Sequence, residues 1–151
     1  IKSSAASDVY KRQDLAGFFE DIYKKQVEEL EQLGIAHFYG FQSDPRPFYA
    51  EADCVVLPSY HEGMSNVLLE AAATGRPVIT SNIPGCRESV ENGKSGLLVE
   101  VKNKEMLYQA MKKMLHCSRE EREKMGKAGR EKMKREFRKE AVVERTVRSL
   151  E

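Results

Sequence analysis

Two carboxylates, Glu62 and Glu70, stand seven residues apart on either side of the segment Gly63-Met64-Ser65-Asn66-Val67-Leu68-Leu69. Gly63 allows close approach of a ligand to the backbone, and Ser65 and Asn66 are both residue types that cap helices. A helix starting near Ser65 turns the backbone N–H groups of Gly63, Met64, Ser65, Asn66 and Val67, with the positive end of the helix dipole, into an anion site. A phosphate or diphosphate is its natural occupant. Glu70 then shares a helix face with Asn66, one turn inside, so both acids can serve one ligand. Carboxylates repel a diphosphate directly. As acceptors they suit the hydroxyls of a ribose or a sugar, while the amides hold the phosphates. On spacing alone, a solvated loop carboxylate at Glu62 and a helix-surface charge at Glu70 explain the pattern equally well.

Other side chains carry weaker signals. His61, beside Glu62, has the chemistry of a proton relay or a sugar contact, with an ordinary pKa of about 6.5; loop packing is the plainer alternative. Arg46, Arg76 and Arg87 are candidate anion contacts that also read as plain surface residues. Glu88 either reaches toward the ligand or stabilises the dipole of its own short helix. Nothing in the sequence beside Cys86 suggests an activated thiolate, and His37 and His116 read as structural or solvated.

The elements that position these residues follow from periodicity. Residues 14–33 place Phe18, Phe19, Ile22, Tyr23, Val27, Leu30 and Leu33 at three- and four-residue spacing, which predicts an amphipathic helix stopped by Gly34. Apolar runs at 35–39, 54–57, 78–80 and 97–99 read as buried strands, and residues 47–52, 65–74, 87–91 and 104–115 as helices between them. Ser118 with Glu121 forms a capping-box pattern, followed by helix through Phe137 and again from Lys139 to Leu150. Strands alternating with helices predict an α/β fold, a Rossmann-like parallel sheet with helices on both faces and a helical C-terminus. In such a sheet the loop from 58 to 65 lies at the carboxyl end of a strand, where ligands bind.

The composition narrows the partners. The 151 residues carry 25 basic and 24 acidic side chains, a net charge of +1, so no overall field draws the chain to nucleic acid or anionic lipid. Segment 118–140 holds ten basic and six acidic residues with a single aromatic, Phe137, near its end, as expected of a solvated helix face rather than a nucleic-acid surface. The three cysteines, Cys54, Cys86 and Cys117, have no zinc-ligand or disulfide-framework spacing, which fits a reducing, cytoplasmic setting. No apolar run is long enough to span a membrane. Residues 1–13 show no periodicity and read as a disordered or non-native tail. Residues 14–151 then read as one domain.

The run PSYHEGMSNVLLEAAATGRPVITSNIPGCRESVENGKSGLLVE, residues 58–100, resembles the donor-binding half of the retaining group-1 glycosyltransferases, whose signature is Glu, seven residues, Glu. The similarity continues through the Gly40-Phe41 strand exit and covers about residues 18–150. Within the family it is most like bacterial enzymes that build capsular, exopolysaccharide or lipid-linked glycans. The resemblance implies a GT-B architecture with this chain as most of its C-terminal domain, lacking the first strands and leaving a gap in the sheet. It implies a nucleotide-sugar donor, UDP-linked, a glycan or lipid-linked acceptor, and no cofactor or essential metal. Glu70 would bind ribose hydroxyls, and Glu62, with His61 beside it, would lie near the anomeric carbon. The amides of residues 63–67 would hold diphosphate and sugar oxygens, and Gly40 and Phe41 would border the nucleobase. The Arg and Lys that the family uses for the diphosphate, and its acceptor-binding domain, are expected upstream of Asp14, so the chain alone is expected to be inactive or a non-catalytic binding module. The full-length enzyme is expected in the cytoplasm, with peripheral association at the inner membrane face as a further option.

Overall fold

Strand β4 (Val78–Ser81) lies between β3 (Val55–Leu57) and β5 (Gly96–Val99) in a parallel ladder, and all four of its residues are buried. This ladder belongs to the second of two compact units, Ile1–Asp53 and Cys54–Glu151, in a computed structural model that describes residues 12–18 and 20–148. Successive strand side chains face opposite ways. Ile79 therefore joins Cys54, Leu97 and Val99 in a core closed by Ala110 and Met114 of α4 (Lys104–His116). Val78 and Thr80 point to the opposite face and are also fully buried, so the sheet is covered on both faces. Gly96 pairs with Val78, and a Cβ there would sit 2.1 Å from the Val78 carbonyl oxygen.

Between β3 and β4 the chain forms α3 (Asn66–Ala73), whose Leu68, Ala71 and Ala72 are buried and whose Asn66, Val67 and Glu70 face outward. The helix ends at Gly75, where a φ of +79° favours glycine; the Gly75 amide donates to Ala72 and the Arg76 amide to Ala71. The long α5 (Arg119–Glu136) starts with the expected capping box: the Glu121 amide donates to Ser118 Oγ (3.2 Å) and the Ser118 amide to Glu121 Oε2 (2.6 Å). It packs on α3 through glycines. A Cβ on Gly126 would lie 1.9 Å from the Gly75 oxygen, whereas one on Gly129 would meet Ala72 and Ser95 at 3.6 Å. The α5 residue Lys132, nearly buried, pairs with Glu136, and Arg135 bridges Glu136 to Glu91. A final helix, α6 (Lys139–Arg148), covers the described part of the helix expected through Leu150.

The first unit is a parallel pair, β1 (Gln13–Leu15) with β2 (Ala36–Phe38), joined through α1 (Lys24–Gln32) and followed by α2 (Arg46–Glu51). A chain of edge-on aromatic contacts runs from His37 through Tyr39 to Phe48.

The structure corrects three expectations. The helix expected from Asp14 begins only at Lys24, after a 3-10 turn at Asp21–Tyr23, and Asp14 lies in β1. Three residues are too few to display period-two alternation, and the apolar residues after β1 imitate helical spacing. Phe19, counted in that periodicity, lies outside the described residues, as does most of the expected tail; Gln13, assigned to that tail, opens β1. The helix expected at 87–91 is a single 3-10 turn, Arg87–Ser89, closed by Ser89 Oγ donating to the Cys86 carbonyl and by extended backbone at Val90. Among the described residues no helix is long and apolar enough to cross a membrane.

Candidate functional site

The exit of β3 is fixed by Thr80, whose Oγ1 donates to the Leu57 carbonyl at 2.8 Å. The chain then forms an exposed loop containing Tyr60, His61, Glu62, Gly63 and Met64 before entering α3 at the carboxyl edge of the ladder. Within it Ser59 Oγ donates to Glu62 Oε1 at 2.7 Å, which orients that carboxylate while leaving it in solvent. Glu70 stands about one turn into α3 on its outward face with Asn66. Among the described residues neither His61 nor the Glu70 carboxylate engages a side-chain partner.

The start of α3 departs from the expected capping. Ser65 is the N-cap, but its side chain makes no capping bond. Its amide donates instead to the carbonyl of Gly85 at 3.1 Å, so Ser65 drops out of the expected set of anion donors in this structure. The amides of Gly63, Met64, Asn66 and Val67 donate to no backbone carbonyl among the described residues. Four unclaimed donors at the positive end of a helix dipole can bind an anion.

Two neighbours were not legible in the sequence. Gly85, with φ +85°, packs its backbone against the carbonyls of Gly63 and Glu62. Lys102 follows β5 at the same edge of the ladder and holds its ammonium 5.6 Å from the ring centroid of Tyr60. Its φ of 64° makes it the single non-glycine residue with positive φ among the described residues. The Pro84-Gly85 dipeptide announces a turn, but no local signal shows what that turn touches or that a lysine occupies a glycine-like conformation.

The remaining candidates separate clearly. Burial pushes the Cys86 thiol up, against a hydrogen bond with Thr80 and with the Glu62 and Glu88 charges adding to the rise, so it is not an activated thiolate. Glu88 lies in the first turn of the short 3-10 helix Arg87–Ser89, and its Oε2 accepts from the Gly85 amide at 2.8 Å. Arg87 Nε lies 3.5 Å from Glu88 Oε1. Arg76, two residues before β4, lies at its amino end, the edge opposite Glu62, which removes it from the candidate anion contacts. Arg46 clasps Asp44 with two bonds of 2.7 and 2.8 Å in the first unit. Gly40 and Phe41 also belong to that unit: the Gly17 amide donates to the Gly40 carbonyl at 2.9 Å, and Phe41 stacks on Phe18 at 5.4 Å with both rings exposed. Among the described residues no three His, Cys, Asp or Glu side chains converge as a metal site requires.

The family model of glycosyl transferases group 1 matches residues 15–132. The lipopolysaccharide core biosynthesis glycosyltransferase LpsE of Rhizobium meliloti is 31% identical over 124 residues, which cover 82% of this chain and 36% of LpsE. Among solved structures, sucrose-phosphate synthase from Thermosynechococcus elongatus superimposes with a TM-score of 0.76 at 28% identity, over 91% of this chain and 38% of the synthase. HepE of Anabaena, solved in complex with UDP, superimposes with a TM-score of 0.75 at 21% identity, over 91% of this chain and 40% of HepE. The chain thus spans less than half the length of each of these proteins and matches part of a GT-B fold.

Proposed function

Because the chain belongs to the group 1 glycosyl transferases, we propose that it forms the donor-binding portion of a retaining enzyme that moves a sugar from a UDP-linked donor to a glycan or lipid-linked acceptor. The observation that carries this reading is the uncapped start of α3 at the carboxyl edge of the ladder, with Glu62 before it and Glu70 one turn inside. In this proposal the amides of Gly63, Met64, Asn66 and Val67 receive the diphosphate. Their N–H dipoles are already oriented and therefore stabilise the charge that grows as the bond from the anomeric carbon to the diphosphate breaks. UDP leaves, the acceptor hydroxyl oxygen bonds to the same face of that carbon, and the hydroxyl proton leaves with the departing diphosphate or through His61. Glu62, held by Ser59, accepts hydroxyls of the transferred sugar, and Glu70 those of the ribose. The donor requires no cofactor in this scheme. LpsE acts in lipopolysaccharide core biosynthesis, which favours a cytoplasmic role in building a bacterial surface glycan, of capsular or exopolysaccharide type.

Titration of the chain with UDP and UDP-sugars, followed by amide NMR, tests the reading. Saturable shifts at Gly63, Met64, Asn66 and Val67 are expected. Absence of binding at millimolar ligand refutes it, and binding without turnover identifies the isolated chain as a non-catalytic binding module.

A further inference from the structure

The backbone that presents the proposed site is gripped by the loop that follows β4. Gly85 adopts φ +85°, and a Cβ placed on it would lie 1.5 Å from the Gly63 oxygen, 2.6 Å from the Gly63 carbon and 2.8 Å from the Glu62 oxygen. No side chain fits between these two stretches of backbone, so glycine is required both by conformation and by space. The Gly85 carbonyl accepts the Ser65 amide at 3.1 Å, while the Ser65 side chain provides no cap for the first-turn amides. The Gly85 amide in turn donates to Glu88 Oε2 at 2.8 Å. The turn is closed from behind by the Cys86 and Arg87 amides donating to the Ile83 carbonyl at 3.2 and 3.0 Å. Cys86, next in the chain, is fully buried, and so is Thr80, whose hydroxyl fixes the exit of β3.

We propose that Gly85 and Glu88 are positioning residues for the nucleotide-sugar site: Glu88 holds the left-handed Gly85 turn, and Gly85 fixes the Glu62 and Gly63 carbonyls and the N-cap residue of α3, Ser65. The inference rests on the proposed function for its ligand, and on the contacts above for its geometry. It explains why the N-cap amide is the one donor of the segment withdrawn from the anion set. With Ser65 tied to Gly85, the helix must start at Asn66, and the amides around it keep their direction without a ligand. Such preorganisation lowers what binding must spend on ordering the loop. Neither residue needs to touch the donor.

Three variants of the full chain test this: Glu88→Ala, Glu88→Gln and Gly85→Ala. Hydrogen exchange of the Ser65 and Gly85 amides reports the clamp, and UDP affinity reports its consequence. In Glu88→Ala both amides are expected to exchange about tenfold faster and UDP to bind about tenfold more weakly, the lower end for a hydrogen bond to a carboxylate. Protection of Val78–Ser81 should stay unchanged. Glu88→Gln keeps an acceptor for the Gly85 amide and is expected within about threefold of wild type in both measurements. Gly85→Ala should lose UDP binding with the β4 amides still protected; if it fails to fold, the Glu88 pair alone decides. Wild-type exchange and affinity in Glu88→Ala overturn the inference. So does equal damage by Ala and Gln, which would assign the effect to charge rather than to the bond. If the wild-type chain binds no UDP, the proposed function fails, and the exchange comparison still decides whether the clamp holds the mouth of α3.

Discussion

Two glycines three residues apart in α5 should respond to the same substitution with opposite signs. Gly126→Ala and Gly129→Ala each gain about 1 kcal/mol of helix propensity in the middle of an 18-residue helix. At Gly129 the new methyl meets Ala72 and Ser95 at 3.6 Å, ordinary van der Waals distance, so most of that gain survives. At Gly126 it would stand 1.9 Å from the Gly75 carbonyl oxygen, so α5 or the turn after α3 must retreat by about 1 Å to reach even 3.0 Å. A backbone oxygen cannot rotate out of the way. Because backbone meets backbone, the overpacking cost falls in the upper part of its usual range, about 2–3 kcal/mol, and outweighs the propensity gain by about 1–2 kcal/mol. With about 2–4 °C of melting temperature per kcal/mol in a chain of this size, Gly126→Ala should melt about 2–8 °C below wild type and Gly129→Ala about 1–4 °C above it. Thermal unfolding followed by circular dichroism, with urea midpoints as a second measure, reads both. Equal shifts of the two variants, or a Gly126→Ala protein as stable as wild type, would refute the close approach of α5 to Gly75 on which the argument depends.

Other perturbations test the core, the surface charges and the proposed site. Met114→Ala, at a position 2% exposed between α4 and the sheet, should lose about 2–5 kcal/mol in urea unfolding; a loss below 1 kcal/mol would show that the core collapses into the cavity. The Ser118 amide and hydroxyl hold the Glu121 carboxyl below the usual range, and Lys94 and then Arg135 do the same for Glu91. The unfolded chain therefore takes up protons at higher pH than the folded one. This contribution is complete above the ordinary carboxylate range and is lost as pH falls through the depressed values. Urea midpoints should stay level from about pH 7 to 5 and fall below about pH 4, less steeply in Glu121→Gln; a midpoint that rises on acidification contradicts the sign. Finally, Glu70→Ala should weaken UDP binding about tenfold or more, as expected for losing an ionised acceptor of ribose hydroxyls, with an unchanged melting temperature because Glu70 lies on the outer face of α3. Wild-type affinity removes Glu70 from the site.

The features legible in the sequence are the ones whose geometry is local. The spacing of Glu62, Asn66 and Glu70 determined their placement at the start and on the outer face of α3, because the helical period converts spacing into position within a few residues. The apolar runs that became β2 to β5, and the Ser118-Glu121 capping box, were legible for the same reason. Strand β1 was not. Its three residues carry too little pattern of their own and exist as a strand only because β2 offers a partner. The details of the site were decided at longer range. Ser65 looks like a residue that caps with its side chain, yet tertiary structure gave its amide to the Gly85 carbonyl and tied the Gly85 amide to Glu88. Lys102 at the edge beside Tyr60 and the Gly126 contact with Gly75 likewise join residues far apart in the chain. Sequence alone determined which groups a helix would line up; only the packed fold decided which of their hydrogen bonds were already taken, because that depends on backbone brought in from elsewhere.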